Sequence, residues 1–343
     1  VDGNPVPAIS AGSHIQVPVH LPNASSSVHA GTNTSETKNS EIKSSETNSS
    51  DNGLVWRNYS ISSNPNRTDC YEIAVKIEPE GNGGSVAVHQ QYQLGLILNC
   101  HMPQNYFPLV QTSSSQHPQG RECKPMRHVL IAAGIGITPI KSMAIALQHE
   151  KQTFELHYAG RSIADMAYTD RLQKQIGDKL ALYPSSEGKR ISLKAILANH
   201  TNDTHYYFCG PFSMLSELKS LAKARDIKCD NIHFEQFSPP KNDEAKPVEL
   251  TLTKSQMTIE VAAEQSLLDA VLEAGVDVPY SCKVGDCKSC VVNVSKTDDS
   301  VKNQQAIDAV EHLDACLTEK EQASGKMCLC VSRPTSDTFA INL

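Results

Sequence analysis

The chain has 343 residues, a formal net charge of −7 and an isoelectric point near 6.0. That length gives room for two or three domains with cores of their own, and the acidic balance argues against nucleic acid as a partner. No apolar run approaches the roughly 18–20 residues of a membrane span, and eleven cysteines without a secretory signal suit a reducing, cytoplasmic setting better than a disulfide framework.

The sequence opens on Val1, which suggests a truncated or processed N-terminus. Residues 13–21 and 54–62 read as strands. Between them, residues 24–52 are almost all Ser, Thr, Asn, Glu and Lys. They read as a disordered insertion, because nothing apolar offsets the entropy of ordering. Asn-x-Ser/Thr triplets such as those at Asn33 and Asn48 are expected by chance in so polar a stretch and are not read as glycosylation. Up to about residue 110 the pattern shows only strands and turns and suggests a β-barrel. Within it, Arg57-Asn58-Tyr59-Ser60 offers a guanidinium for phosphate, an aromatic ring to flank a flat cofactor and a hydroxyl for a ring atom. Gly83-Gly84-Ser85 offers free N–H groups and a hydroxyl for a second phosphate contact. An exposed strand and an ordinary turn would look the same.

After a polar insertion at 111–124, apolar runs alternate with helical patterns. Strands are expected at 128–133, 154–158, 206–209 and 232–237, and helices at 139–148 and 214–224. This alternation implies a parallel sheet covered on both faces. Gly134-Ile135-Gly136-Ile137-Thr138-Pro139 follows the first strand and opens a helix, where glycines admit a ligand and free N–H groups meet an anion. Pro139 stands where a dinucleotide fingerprint needs its third glycine, so the full motif is absent and a plain tight turn is the alternative. Cys209-Gly210-Pro211 ends a later strand, at the edge where open α/β folds bind ligands, although Pro211 also suits the first turn of any helix. Together the two point to a nicotinamide nucleotide site. Arg161-Ser162 leaves NADH and NADPH both open, since an Arg there can pair a 2′-phosphate.

Residues 238–246 form a Pro-rich, charged tether. Strands at 248–253 and 257–262 then form a hairpin, and the helix at 266–274 carries Leu267, Leu268, Val271 and Leu272 at helical spacing, with Gly275 in the C-cap place. Cys282, Cys287 and Cys290 follow in a C-x4-C-x2-C run, and Cys328 and Cys330 come about forty residues on. This is the plant-type spacing of a [2Fe–2S] cluster, which needs four thiolates on two irons. Structural zinc would require a second knuckle, and none is present. Gly285 lets backbone N–H groups approach sulfide. Cys328 and Cys330 face one way on a strand, so periodicity does not choose between them. Residues 295–309 are another polar insertion. Cys70, Cys100, Cys123, Cys209, Cys229 and Cys316 read as free thiols.

These landmarks are joined by Ala11-Gly12-Ser13-His14-Ile15, Ala74-Val75-Lys76, the stretches 158–162 and 233–237, and Leu329-Cys330-Val331-Ser332-Arg333. Over nearly the whole chain they resemble the phthalate dioxygenase reductase family, the reductases of Rieske-type oxygenases. The resemblance implies an antiparallel FMN-binding β-barrel (1–110), a parallel α/β NAD-binding domain (125–237), the linker (238–246) and a β-grasp plant-type ferredoxin (247–343). It implies electron flow from NADH through FMN and the [2Fe–2S] cluster to a Rieske-type oxygenase. FMN would be held by Arg57, Asn58, Tyr59, Ser60, Ala74, Val75, Lys76, Gly83, Gly84 and Ser85. The nucleotide would be held by Gly134, Gly136, Thr138, Pro139, Arg161, Ser162, Gly210 and Pro211, with Ser60 and Cys209 at the hydride-transfer centre. The family's fourth cluster ligand directly precedes a Val/Ser-Ser-Arg run, which selects Cys330 beside Cys282, Cys287 and Cys290, and family habit favours NADH.

Two departures stand out: Lys288 occupies a place where the family usually has glycine, crowding the loop or bringing a cation near the cluster, and the first barrel strand is missing before Val1, which bears on FMN retention. Other readings are a reductase for a cytochrome or a soluble monooxygenase, or a non-catalytic redox sensor. The oxygenase substrate stays open between aromatic acids and trimethylammonium compounds. The run 68–75 leans toward the carnitine type.

Overall fold

The computed structural model describes residues 5–21, 53–110, 126–240, 244–295 and 309–343. The insertions read at 24–52, at 111–124 and over most of 295–309, together with Cys123 and part of the tether, lie outside these residues.

The first unit is built on β1 (His14–His20) and β2 (Leu54–Ser60), an antiparallel pair with His14 opposite Ser60. Helix α1 (Gly84–Gln91) covers it, burying Ala87 and Val88 on Val19, with Val55, Tyr59 and Val75 alongside. Among the described residues the expected barrel is present only as this hairpin, the helix and one further bridge from His14 to Gln104. The helix corrects the expectation of strands and turns alone. Val86-Ala87-Val88 is strand-like in isolation, but Gly83 turns the chain through a left-handed conformation (φ 73°) and tertiary burial then favours a helix.

The second unit runs β3 (Arg127–Ala133), α2 (Ile137–His149), β4 (Thr153–Gly160), α3 (Thr169–Ile176), β5 (Leu180–Pro184), the short α4 (Leu193–Ile196), β6 (Thr204–Cys209), α5 (Phe212–Lys223) and β7 (Ile232–Glu235). Its five strands are all parallel, in the order β5-β4-β3-β6-β7. Alternate residues feed two cores. Leu130, Ala132, Leu156 and Tyr207 face α2 and α3, whereas Val129, Ile131, Tyr206 and Phe208 face α4 and α5. Burial on both faces is why these strands read as unbroken apolar runs. Sequence patterning did not indicate α3 or β5: α3 buries only Leu172 and Ile176, and β5 is a half-exposed edge strand.

The first unit packs on this sheet through side chains. Ala11 and Phe107 join the α2-side core, and the Val110 N–H donates to the Tyr207 hydroxyl at 3.0 Å. Lys141 of α2, only 3% exposed, donates to the Ser62 carbonyl at 2.7 Å. Its ammonium also lies 3.6 Å from Glu72 and 4.4 Å from the centre of the Tyr168 ring. A buried ammonium persists only with such partners, so this strut fixes how the two units meet.

The third unit contains β8 (Val248–Leu252), β9 (Met257–Val261), α6 (Leu267–Glu273), β10 (Val291–Asn293), β11 (Val310–Glu311), α7 (Glu319–Ala323), β12 (Lys326–Cys328), β13 (Arg333–Pro334) and β14 (Thr338–Ile341). β8 pairs antiparallel with β9 and parallel with β14, and α6 packs Leu267, Leu268 and Val271 into the same core as Leu250, Leu252 and Ile341. Buried Arg333 donates to the carbonyls of Lys246 (2.7 Å) and Ala262 (3.1 Å), pinning the end of the tether to the hairpin.

A histidine group lies in the α2-side face of the parallel sheet. His205 Nδ1 is 3.0 Å from His233 Nε2, Tyr207 stacks on His233, and the buried His128 ring has no partner for Nδ1. Burial pushes the His128 imidazole from 6.5 down to about 4. The unfolded chain therefore takes up a proton as pH falls below 6.5 while the fold refuses it until about 4. Stability is complete above 6.5 and declines across that window. His128→Phe should remove the His128 share of this decline and leave that of His233, which burial also pushes down to about 4. Against wild type its relative stability should rise by about 2–3 kcal/mol between neutral pH and pH 4, read by thermal melts across that range.

Candidate functional site

The strand order creates the first half of the site. The chain runs from β3 outward through β4 to β5, then returns to β6 and β7 on the other side, so the carboxyl ends of β3 and β6 border a topological switch point. Gly134–Gly136 makes a single 3₁₀ turn there and leads into α2. A Cβ on Gly136 would sit 2.2 Å from the Cys209 carbonyl oxygen, so only glycine lets this turn close on the end of β6. The Thr138 hydroxyl donates to the Ile135 carbonyl (3.1 Å), the Tyr158 hydroxyl donates to that of Gly134 (3.1 Å), and Pro139 lies buried in the first turn of α2. Gly210 packs on Ala133, and Pro211 is the N-cap of α5. Arg161 and Ser162 follow β4. Arg161 is exposed, and the Ser162 hydroxyl donates to Asp165 Oδ2 at 2.7 Å.

β2 supplies the second half. The Arg57 side chain lies against Gly84 and donates to the Asn82 carbonyl at 3.3 Å, which brings its guanidinium to the N-terminal turn of α1. Arg57, Gly83 and Gly84 therefore share one corner, whereas the Ser85 hydroxyl there already accepts the Glu78 N–H (3.0 Å). Lys76 pairs with Glu78, and the Val75 carbonyl meets His89 Nε2 at 2.8 Å. Ala74 and Val75 are half-buried, and Val75 packs beside Tyr59 on α1.

Ser60, at the end of β2, donates to Glu235 Oε2 at 2.9 Å, linking the first unit to the end of β7. Burial pushes the Glu235 carboxyl up to about 8, despite the opposing pull of the Ser60 hydrogen bond, so it carries its proton at neutral pH. Burial likewise pushes the Cys209 thiol well up, which keeps it an uncharged neighbour. A cavity of about 80 Å³ opens here, bordered by Asn58 and Ser60, by Glu235 and Phe237, and by Cys282 and Val284 of the third unit. Sequence reasoning missed Glu235 as a site residue. Its signal was an acidic side chain at the carboxyl end of the last apolar strand of the sheet.

The cysteine loop closes the cavity. The N–H groups of Val284 and Asp286 point at Cys282 Sγ (3.5 and 3.4 Å), and the Cys282 N–H points at Cys287 Sγ (3.5 Å). Cys290 Sγ lies 3.2 Å from Cys330 Sγ. The hydrogen bond shared with Cys282 pulls the Cys287 thiol down and pushes that of Cys282 up, and those shared with Cys328 and Cys330 likewise pull Cys290 down and push the other two up. Cysteine sulfurs facing backbone N–H groups are the surroundings that iron–sulfur centres use. Cys328 Sγ instead turns also toward Cys316 Sγ (3.5 Å) and Asp314. Gly285 has φ 82°, and a Cβ there would strike Val331 and Asp314.

Lys288 takes the left-handed conformation (φ 59°), which explains why glycine would suit this position. Its ammonium turns outward to both Glu321 carboxylate oxygens (2.8 and 2.9 Å), and Glu321 also caps α7. Lys288→Gly should be more stable than Lys288→Ala by about 1 kcal/mol, since both lose the ion pair and only alanine keeps the left-handed strain. Denaturant midpoints of the two variants, each with its cluster, measure that difference.

Residues 250–335 match the 2Fe-2S iron-sulfur cluster binding domain family, and residues 121–232 match the N-terminal domain family of dimethylamine monooxygenase subunit DmmA-like proteins. The chain is 33% identical to the heme-dependent oxidative N-demethylase beta subunit of Ectopseudomonas mendocina (strain ymp), over 98% of this chain and 90% of that one. It is 31% identical to the carnitine monooxygenase reductase subunit of Escherichia coli (strain K12), over 100% of this chain and 91% of that one. The crystal structure of phthalate dioxygenase reductase superposes with a TM-score of 0.64 at 24% identity, over 99% of this chain and 90% of that one, so the two share a fold. The chain belongs to the phthalate dioxygenase reductase family, the oxidoreductase components of oxygenase systems that carry a 2Fe-2S ferredoxin domain.

Proposed function

We propose that this protein is an NADH-dependent reductase that passes electrons through FMN and a [2Fe–2S] cluster to a Rieske-type oxygenase. The observation that carries this reading is the cavity in which the Ser60–Glu235 pair, the carboxyl edge of the parallel sheet and the cysteine loop all meet. Bound here, the flavin would supply the conversion of a two-electron hydride into single electrons, and the cluster would supply their one-electron carriage. Everything else is positioning. Arg57 and the N–H groups at Gly83 and Gly84 suit one phosphate, with Tyr59, Ala74, Val75, Lys76 and Ser85 framing that corner and Asn58 and Ser60 facing the ring. Gly134, Gly136, Thr138, Pro139, Gly210 and Pro211 would shape the nucleotide crevice, and Cys209 ends β6 next to Glu235, the partner of Ser60. Protonated Glu235 fixes the Ser60 hydroxyl without placing a charge in the hydride path.

NADH is favoured over NADPH by Asp165. Its carboxylate is bound to the Ser162 hydroxyl next to Arg161 and would repel a 2′-phosphate. A haem-containing acceptor is the second reading, supported by the likeness to the E. mendocina protein, a heme-dependent oxidative N-demethylase beta subunit. Reconstitution with a Rieske-type and a haem-type oxygenase in turn separates the two.

Cys282, Cys287, Cys290 and Cys330 would hold the cluster. Anaerobic NADH titration should bleach a flavin band and produce a rhombic low-temperature EPR signal. Flavin bleaching without that signal would remove the electron-transfer reading. Cys330→Ser should lose the cluster's visible absorption and iron, while Cys328→Ser should keep both. The reverse pattern would move the fourth ligand to Cys328.

A further inference from the structure

One half-buried aspartate between the cysteine loop and the parallel sheet has no part in the ligand set. Asp286 stands between Gly285 and Cys287 and belongs to the third unit, yet its Oδ2 accepts the backbone N–H of Gln236, just beyond β7, at 3.0 Å. Its Oδ1 is buried with no partner. Gln236 follows Glu235, so the same two residues of chain hold Ser60 of the flavin corner on one side and the cysteine loop on the other. Lys219 of α5 sits 4.2 Å over the Phe234 ring and feels the charge of Asp286 and Asp314, and no ion pair joins it to either among the described residues.

A carboxyl with one oxygen unpaired inside a protein disfavours folding. Packing alone therefore does not account for an Asp here, where an apolar side chain of the same size would cost less. A short directional bond from a backbone N–H does account for it, because a carboxylate is the strongest acceptor a side chain of this length offers. The bond crosses a junction whose covalent link is the tether, so it is well placed to decide how the third unit seats.

We propose that Asp286 is the positioning residue that docks the ferredoxin unit on the sheet, setting the cysteine loop against the flavin corner through its bond to the Gln236 N–H. The consequence for electron passage rests on the reductase reading above. The docking contact itself does not. Seating matters because electron transfer between two centres weakens steeply with their separation.

The test uses the full-length protein with its cofactors. Amide exchange over residues 234–237 is measured by mass spectrometry, and after anaerobic mixing with NADH the lag between flavin bleaching and cluster bleaching is followed. In Asp286→Ala the exchange should rise and the lag should lengthen, each by about tenfold, the factor carried by one hydrogen bond of this class. The cluster's EPR signal should persist, which shows that the loop still folds. Asp286→Asn keeps an acceptor of the same shape and should restore both readouts. Wild-type exchange in Asp286→Ala would overturn the proposal, as would Asp286→Asn failing as far as Asp286→Ala. If wild type shows no flavin bleaching or no cluster signal, the reductase reading falls, while the exchange comparison still decides whether Asp286 docks the unit.

Discussion

The Ser60–Glu235 hydrogen bond is the contact around which the molecule is organised. It joins the last residue of β2 to the last residue of β7, so a strand end of the first unit and one of the second must arrive at the same point. The half-buried Glu235 is tolerated at this junction because burial holds its carboxyl well above the usual range and Ser60 hydrogen-bonds it. Its environment is also set by the meeting of units that each fold around a core of their own.

That meeting is held from several sides. Lys141 grips the Ser62 carbonyl just beyond β2, and Phe107 and Ala11 enter the core under α2. At the ends of β3 and β6, Gly136 approaches the Cys209 backbone too closely to admit a side chain. The third unit completes the enclosure from the far side, with Cys282 and Val284 in the cavity wall.

The cysteine loop shows how a metal-binding geometry is imposed by backbone. Lys283, Gly285 and Lys288 all have positive φ, so the chain coils tightly enough to turn successive N–H groups toward sulfur. Two of the three are not glycine. Their strain is held by ion pairs at the rim, Lys283 with Asp269 and Lys288 with Glu321, and by the Ala315 N–H on the Gly285 carbonyl. The cation at Lys288 is thus drawn away from the sulfurs toward α7.

The sequence by itself determined the features that rest on local spacing. The C-x4-C-x2-C run, the glycine turn after β3, the apolar strands buried on both faces and the hairpin-helix order of the third unit all follow from periodicity and from the few residue types that fit a given turn. Tertiary structure decided what depends on neighbours distant in the chain. Helix α1 forms because Ala87 and Val88 find Val19, and α3 carries too few buried residues to announce itself. Glu235 and Asp286 are ordinary acidic residues in one dimension. They matter because folding strips water from them and leaves Ser60 and the Gln236 N–H as their partners, a desolvation that no local pattern encodes.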